Sequence, residues 1–138
     1  MEFYLKYIED GEKKEGWLDA VDAQMIVNDC EEVELLDTSA VRTNLSGEDL
    51  PDFLAGVLEF GEAFDYYAND VGVDFAWRYF SDAFCGEYSS LEHYAEEVMP
   101  EIYSIPDNLL GYIDYKQFAY DLSLEGYTCE GGFVFRPV

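Results

Sequence analysis

Positive charge is scarce in this chain of 138 residues. Seven Lys and Arg stand against 31 Asp and Glu, so the formal net charge is −24. Proteins that bind nucleic acids neutralise phosphates with clustered Lys and Arg. The composition therefore excludes nucleic-acid binding and favours a basic partner.

Cysteine and long apolar runs are also scarce. Cys30, Cys85 and Cys129 lie far apart and form no C-x-x-C pair, which argues against a disulfide framework or a zinc site. A reducing compartment suits such thiols. No run approaches 18 apolar residues, and the N-terminus lacks a basic segment followed by an apolar one. We expect a cytoplasmic protein with no membrane partner.

Aromatic residues, by contrast, are abundant. The 12 Tyr, 10 Phe and 2 Trp exceed what a disordered acidic segment contains, so the chain is expected to fold. A domain of this length has a radius of gyration of about 14 Å and a diameter of about 37 Å. Duplex DNA of that length carries about 22 phosphates, one per ~1.7 Å. The alternative to a DNA-like function is an acidic face that only contacts solvent. However, repulsion among so many negative charges destabilises the compact state, which indicates that the charge has a function.

The first third of the chain has the composition of strands around a short helix. Residues 2–8 favour a strand, and the polar stretch from Glu9 to Gly16 predicts a turn into a second strand around Trp17 and Leu18. A helix is expected over 19–28 and a further strand over 33–36.

From Ser46 the pattern becomes helical. Ser46 is a candidate N-cap. The helical pattern continues beyond Gly61, pauses near Val71 and Gly72, and resumes in a helix that is expected to end at Gly86. Its apolar residues recur at helical spacing and predict one buried stripe: Leu50, Phe53, Leu54, Val57 and Leu58.

The C-terminal third contains two capping patterns and a hairpin signal. Ser89-x-x-Glu92 predicts the start of an acidic helix that Pro100 ends. Asp114-x-x-Gln117 predicts a second helix that Gly126 closes. The pair Gly131-Gly132 between β-formers predicts a hairpin.

These patterns together predict an α+β fold. We expect small α/β subdomains in a row, with a mainly helical, acidic middle and C-terminal half and a C-terminal hairpin. The expected subdomains are 1–45, 46–87 and 88–138.

Catalytic and metal-binding patterns are weak. No window has the acidic spacing of a calcium-binding loop. His93 is the only histidine, and Cys–His or Ser–His catalysis needs a positioned third group. The glycine pairs do not link a strand to a helix, as phosphate binding requires. We therefore expect no enzyme, no cofactor and no metal site.

Two long stretches resemble the ArdA antirestriction family. They are FSDAFCGEYSSLEHYAEEV (residues 80–98) and IPDNLLGYIDYKQFAYDLSLEGYTCEGGFVF (residues 105–135). The resemblance is good over residues 45–138 and weak before them, where only the arrangement of strand, turn and Trp17-Leu18-Asp19 is similar. It implies three small α/β subdomains in an elongated dimer whose carboxylates imitate the phosphates of bent B-DNA. Family members come from plasmids, transposons and phages, and occupy the DNA-binding groove of type I restriction-modification enzymes in the bacterial host cell.

Seven acids fall inside the matching runs, and ten further acids are an extrapolation. The first group is Asp82, Glu87, Glu92, Glu96, Glu97, Asp114 and Asp121. The second is Asp49, Asp52, Glu59, Glu62, Asp65, Asp70, Asp74, Glu101, Asp107 and Glu125. All 17 are predicted to form the DNA-mimic surface.

Dimerisation is expected through the C-terminal half, on an apolar surface formed by Tyr112, Tyr115, Phe118, Phe133 and Phe135. Two other functions fit the same residues. One is a DNA mimic directed at another defence nuclease, such as a CRISPR effector. The other is an acidic interaction module for a basic protein.

Overall fold

The fold is known from a computed structural model that describes residues 1–41 and 45–138. The chain forms two compact units, Met1–Phe80 and Ser81–Val138. Each unit combines helices with one three-stranded antiparallel sheet, so the predicted α+β class is confirmed.

The first unit contains a sheet with the strand order β2-β1-β3. Its strands are β1 (Glu2–Glu9), β2 (Glu12–Asp19) and β3 (Glu31–Thr38). Asp10 and Gly11 connect β1 to β2 with φ values of 51° and 80°. Two residues with positive φ form the tight turn typical of hairpins. The predicted turn from Glu9 to Gly16 was therefore too long, because Glu9 belongs to β1 and residues 12–16 belong to β2.

Four helices accompany this sheet: α1 (Ala20–Asp29), α2 (Leu50–Phe60), α3 (Glu62–Val71) and α4 (Val73–Ala83). Asp19 caps α1 by accepting a hydrogen bond of 2.8 Å from the Asp22 N–H. Asp49, not Ser46, is the N-cap of α2. Ser46 begins a separate turn, in which its carbonyl and hydroxyl oxygens accept hydrogen bonds from the Asp49 N–H.

Aromatic rings form the core of the first unit. The Phe53 ring lies 6.1 Å from both Phe3 and Phe64, and the stacked rings of Phe60 and Phe80 lie 4.3 Å apart, measured between ring centroids. The predicted α2 stripe is buried except for Leu58, which is 39% exposed.

The second unit contains β4 (Phe84–Glu87), α5 (Leu91–Ile102), a 3₁₀ helix (Asp107–Tyr112), α6 (Tyr115–Glu125), β5 (Thr128–Glu130) and β6 (Phe133–Phe135). Its sheet has the order β4-β6-β5. Asp114 caps α6, Gly126 closes it with a φ of 110°, and the hairpin turns at Gly131-Gly132, all as predicted.

Three local predictions for this region were wrong. Helix α4 ends at Ala83 rather than at Gly86, because residues 84–87 pair with β6 as a strand. Ser90 rather than Ser89 caps α5, with its Oγ accepting from the His93 N–H at 3.0 Å. Pro100 lies inside α5, which ends two residues later at Ile102.

The predicted division into three subdomains stays a prediction. Residues 42–44 of its first part lie outside the described residues. Across the expected 45/46 boundary, the Phe3 ring of β1 packs against the Phe53 ring of α2. Across the expected 87/88 boundary, β4 shares a sheet with β5 and β6.

Candidate acidic interface

Almost all carboxylates of the chain reach solvent. Of the 31 Asp and Glu residues, 27 are exposed. Glu9, Asp49 and Glu92 are half-buried, and Asp65 is buried. The negative charge is therefore a property of the surface.

Fourteen of the 17 acids predicted to form the DNA-mimic surface are exposed. They are Asp52, Glu59, Glu62, Asp70, Asp74, Asp82, Glu87, Glu96, Glu97, Glu101, Asp107, Asp114, Asp121 and Glu125. Asp49 and Glu92 are half-buried rather than exposed, because each lies at the beginning of a packed helix. These 16 residues have the exposure that an interface requires.

Asp65 is the exception: its prediction as part of the DNA-mimic surface was wrong, because the residue is buried. Its side chain is 3% exposed on the buried face of α3. The carboxylate Oδ2 accepts a hydrogen bond of 2.7 Å from the Val41 N–H. Asp65 therefore holds the segment that follows β3, because a buried carboxylate requires such a donor.

Few of the carboxylates are neutralised by the chain itself. Among the described residues, ion pairs join Glu9 Oε1 to Lys14 Nζ at 2.8 Å, Asp74 Oδ1 to Arg78 Nε at 3.7 Å, and Glu97 Oε1 to His93 Nε2 at 3.6 Å. The last is an ion pair only when His93 is protonated. The great majority of exposed carboxylates are thus free to meet cations from another molecule.

The ends of the helices also lack positive charge in the described ranges. A helix C-terminus favours Lys, Arg or protonated His. No helix in the described ranges has a basic residue in its last turn. The few cations are therefore not used to stabilise helix ends.

Helix α5 shows how the acids are presented. Ala95 is buried, whereas Glu96, Glu97 and Glu101 are exposed. The apolar side of the helix lines a small cleft against α6, which contributes Phe118 and Leu122. Acids at i and i+4 are ~6 Å apart along the axis, a spacing broadly comparable with that of successive charges on a nucleic-acid strand. Packing on α6 holds the acids of α5 in a defined row.

One glutamine of α6 orients two acids, the N-cap Asp114 and Asp121. The Gln117 N–H donates to Asp114 Oδ1 at 3.0 Å, and Gln117 Nε2 donates to Asp121 Oδ1 at 3.1 Å. The capping pattern predicted the first bond. The second directs the Gln117 side chain forward along the helix rather than back to the cap. Both carboxylates are oriented without losing their charge.

The family model for antirestriction protein (ArdA) matches residues 5–135 of the 138-residue chain. The chain belongs to the ArdA antirestriction family. A search of the curated proteins found no match. The family match includes the N-terminal sheet, which lies outside the residues over which the sequence resemblance is good.

Sequence reasoning left out the acids of that N-terminal sheet. Strand β3 presents Glu31, Glu32, Glu34 and Asp37 to solvent. The resemblance to ArdA proteins is good only from residue 45 onwards, and the predicted mimic surface contains only acids from that part of the chain. Charge alone was the available signal, since acids make up half of the β3 sequence EEVELLDT.

The expected dimer surface is corrected in part. Phe135 is buried, and Tyr115, Phe118 and Phe133 are half-buried in their own unit. Tyr112 is 86% exposed. Large apolar side chains that are exposed in the second unit are Ile102, Tyr103, Leu109, Tyr112, Tyr120, Leu124 and Val138. Of the predicted residues, Phe135 thus belongs to the core, whereas Tyr112 and the other exposed residues offer apolar surface.

Chemical features typical of enzymes are weak in the described ranges. No group of three or more His, Cys, Asp and Glu residues there could hold a metal ion. The hydrogen bond from Lys14 lowers the pKa of Glu9, with a smaller contribution from the Cys30 thiol. Burial raises the pKa of Cys30, Cys129 and Tyr94, which keeps these groups neutral. No helix in the described ranges is long and apolar enough to span a membrane.

Proposed function

We propose that this ArdA-family protein is a DNA mimic that occupies the DNA-binding groove of type I restriction-modification enzymes in the cytoplasm of a bacterial host. The observation that carries the proposal is the exposure of 27 carboxylates, nearly all of which form no ion pair with a cation of the described residues. Solubility alone requires a far smaller net charge, of magnitude about 2–8 for a small domain.

The mechanism follows from how such enzymes hold DNA. Lys and Arg contacts to phosphates gain affinity from the release of counterions. Carboxylates held at a similar density offer the same cations a partner but present no bases to read. Inhibition is then independent of the recognition sequence of the enzyme.

Rigidity of the acids supports this mechanism. Ser90 and Asp114 cap α5 and α6, and Gln117 orients Asp114 and Asp121. Charges that are already ordered cost less conformational entropy on binding. We propose that the protein acts by occupancy, as an inhibitor without a reaction of its own and without a cofactor.

A homodimer through the second unit is part of the proposal. The exposed apolar side chains of that unit, above all Tyr112, provide a surface that a self-repelling chain needs in order to associate. A symmetric dimer would double the length of the mimic.

Competition with DNA is the direct test. A purified type I enzyme is titrated with labelled duplex in the presence of increasing amounts of the protein, and the reverse titration is then performed. We expect mutual exclusion. A ternary complex of enzyme, duplex and protein would overturn the proposal, and parallel titrations of CRISPR effectors and other basic defence nucleases would reveal a different target.

A further inference from the structure

The outer face of the N-terminal sheet differs from the rest of the acidic surface. Phe3 and Leu5 point inward from β1 and are fully buried. Tyr4, Lys6 and Ile8 alternate with them and therefore point outward. We use the term outer face for these three residues and their cross-strand partners on β2 and β3.

Strand register defines the members of the outer face. On β2, Trp17 pairs with Tyr4, Glu15 with Lys6, and Lys13 with Ile8. On β3, Asp37 pairs with Tyr4, Glu34 with Lys6, and Glu31 with Ile8. The outer face therefore carries two lysines and four acids. Directly opposed residues in an antiparallel pair lie on the same face, and the rings of Tyr4 and Trp17 are in contact, with centroids 5.3 Å apart.

The outer face carries both signs of charge. Neither Lys6 nor Lys13 forms an ion pair within 4.0 Å with another described residue. Together they line an open cleft of about 200 Å³ whose other lining residues include Glu32 and Glu34. The remaining cations of the described ranges outside this hairpin, Arg78, Lys116 and Arg136, are far apart in sequence. Two lysines that form no ion pair thus adjoin acids on the outer face.

The outer face also carries apolar surface. Trp17 is 50% exposed, and the exposed Leu36 lies at the irregularity between β1 and β3. An exposed tryptophan beside a tyrosine is typical of protein interfaces rather than of solvated surface. This apolar surface supplies attraction that charges alone do not.

We infer that the outer face of the N-terminal sheet pairs with the same face of a second copy of this chain. In a two-fold contact one patch meets itself, so it must be self-complementary. A purely acidic face repels its copy, whereas here Lys6 and Lys13 of one copy can meet Glu15 and Glu34 of the other. The inference does not depend on the proposed function, and it concerns a surface other than the proposed dimer surface of the second unit.

The size of the face indicates a weak contact. Three strands of eight residues cover a patch of about 26 by 14 Å. This is smaller than the ~800 Å² per partner of a standard stable interface. The association is therefore expected at high micromolar concentration, at an ionic strength of ~0.15 M that screens the repulsion between distant charges.

A charge-swap experiment on the full chain tests the inference. Sedimentation equilibrium measures the mass from low micromolar to near-millimolar concentration for the unmodified protein, for K6E/K13E and for E15K/E34K. The first variant makes the outer face acidic and the second makes it basic. We expect each swap to weaken self-association about tenfold or more, because like charges then meet. An equimolar mixture of the two variants should restore it.

The matched control is R78E/K116E, which changes the net charge by the same amount as K6E/K13E but on other exposed positions. It should leave self-association unchanged, and W17A should weaken it without any change of charge. Circular dichroism confirms that each variant is folded. The inference is overturned if the unmodified chain gains no mass with concentration, if R78E/K116E weakens association as much as K6E/K13E does, or if mixing the swapped variants restores nothing. Inhibition of a restriction enzyme is measured separately, so failure here leaves the DNA-mimic proposal intact.

Discussion

Asp65 Oδ2 accepts a hydrogen bond from the Val41 N–H at 2.7 Å, in a chain whose other carboxylates mostly face water. The bond connects α3 with the segment after β3. It makes Asp65 part of the fold rather than of the acidic surface, and this distinction can be measured.

Asp65→Ala is expected to lower the free energy of unfolding by about 1–3 kcal/mol, because it leaves a backbone donor without its partner. Glu59→Ala on the exposed side of α2 should change it by less than about 0.5 kcal/mol. Urea denaturation of both variants provides the comparison. Equal, small losses would show that the hydrogen bond of Asp65 does not stabilise the protein.

Gly56→Ala is expected to destabilise the first unit. A Cβ at this position would clash with the Phe64 ring, which is fully buried and in contact with Phe53, Phe60 and Phe80. Overpacking costs about 1–3 kcal/mol, which exceeds the ~1 kcal/mol that alanine gains over glycine in a helix.

Gly111→Ala is the matched control for Gly56→Ala, since nothing lies within 4 Å of a Cβ at position 111. Thermal unfolding should show a lower Tm for the Gly56 variant and no loss for the Gly111 variant. A Gly56 variant as stable as the parent would mean that the Phe64 ring can move aside.

Local signals predicted much of the fold, and long-range contacts explain what they missed. The Asp114 cap, the Gly126 stop and the Gly131-Gly132 turn depend on neighbouring residues and were predicted correctly. Phe84 was assigned to a helix because it continues the spacing of α4, whereas pairing with Phe135, 51 positions later, makes it a strand. The buried position of Asp65 depends in the same way on Val41, which no local pattern connects to it.

The sequence predicted that the candidate interface is acidic more readily than it predicted which residues form it. Exposure of most acids follows from the cost of burying a charge. Assigning the acids of β3 to this surface required the strand register. Locating the apolar surface of the second unit required knowing how Phe118 and Phe135 pack. Sequence thus identified the kind of surface, and the structure determined which side chains belong to it.

Neutralising the acids of α5 is expected to weaken inhibition in small, additive steps. Glu96→Gln, Glu97→Gln and Glu101→Gln each remove one exposed charge, and the triple variant should lose substantially more than any single one. The fold should be unchanged or slightly more stable, because like charges at i and i+4, such as Glu97 and Glu101, repel by a few tenths of a kcal/mol. Cleavage of DNA by a type I enzyme at several inhibitor concentrations measures the effect.

Lys116→Gln is the opposite control for the α5 series. It removes an exposed cation from α6, so it should preserve or strengthen inhibition while changing the charge by one in the other direction. A single Glu→Gln change in α5 that abolishes inhibition in a folded protein would indicate a localised site instead of a distributed mimic.

Salt dependence tests the mechanism itself. If carboxylates replace phosphates on the Lys and Arg residues of the target, the logarithm of the affinity should fall linearly with the logarithm of the salt concentration, as it does for DNA. The slope should be shallower than for duplex DNA on the same enzyme. The charges of this protein are spread over a globular surface, so fewer condensed counterions are available for release. Titrations of one enzyme with protein and with duplex, at several salt concentrations, give both slopes. An affinity that does not change with salt would exclude the carboxylate contacts as the source of binding and would point to the exposed apolar residues instead.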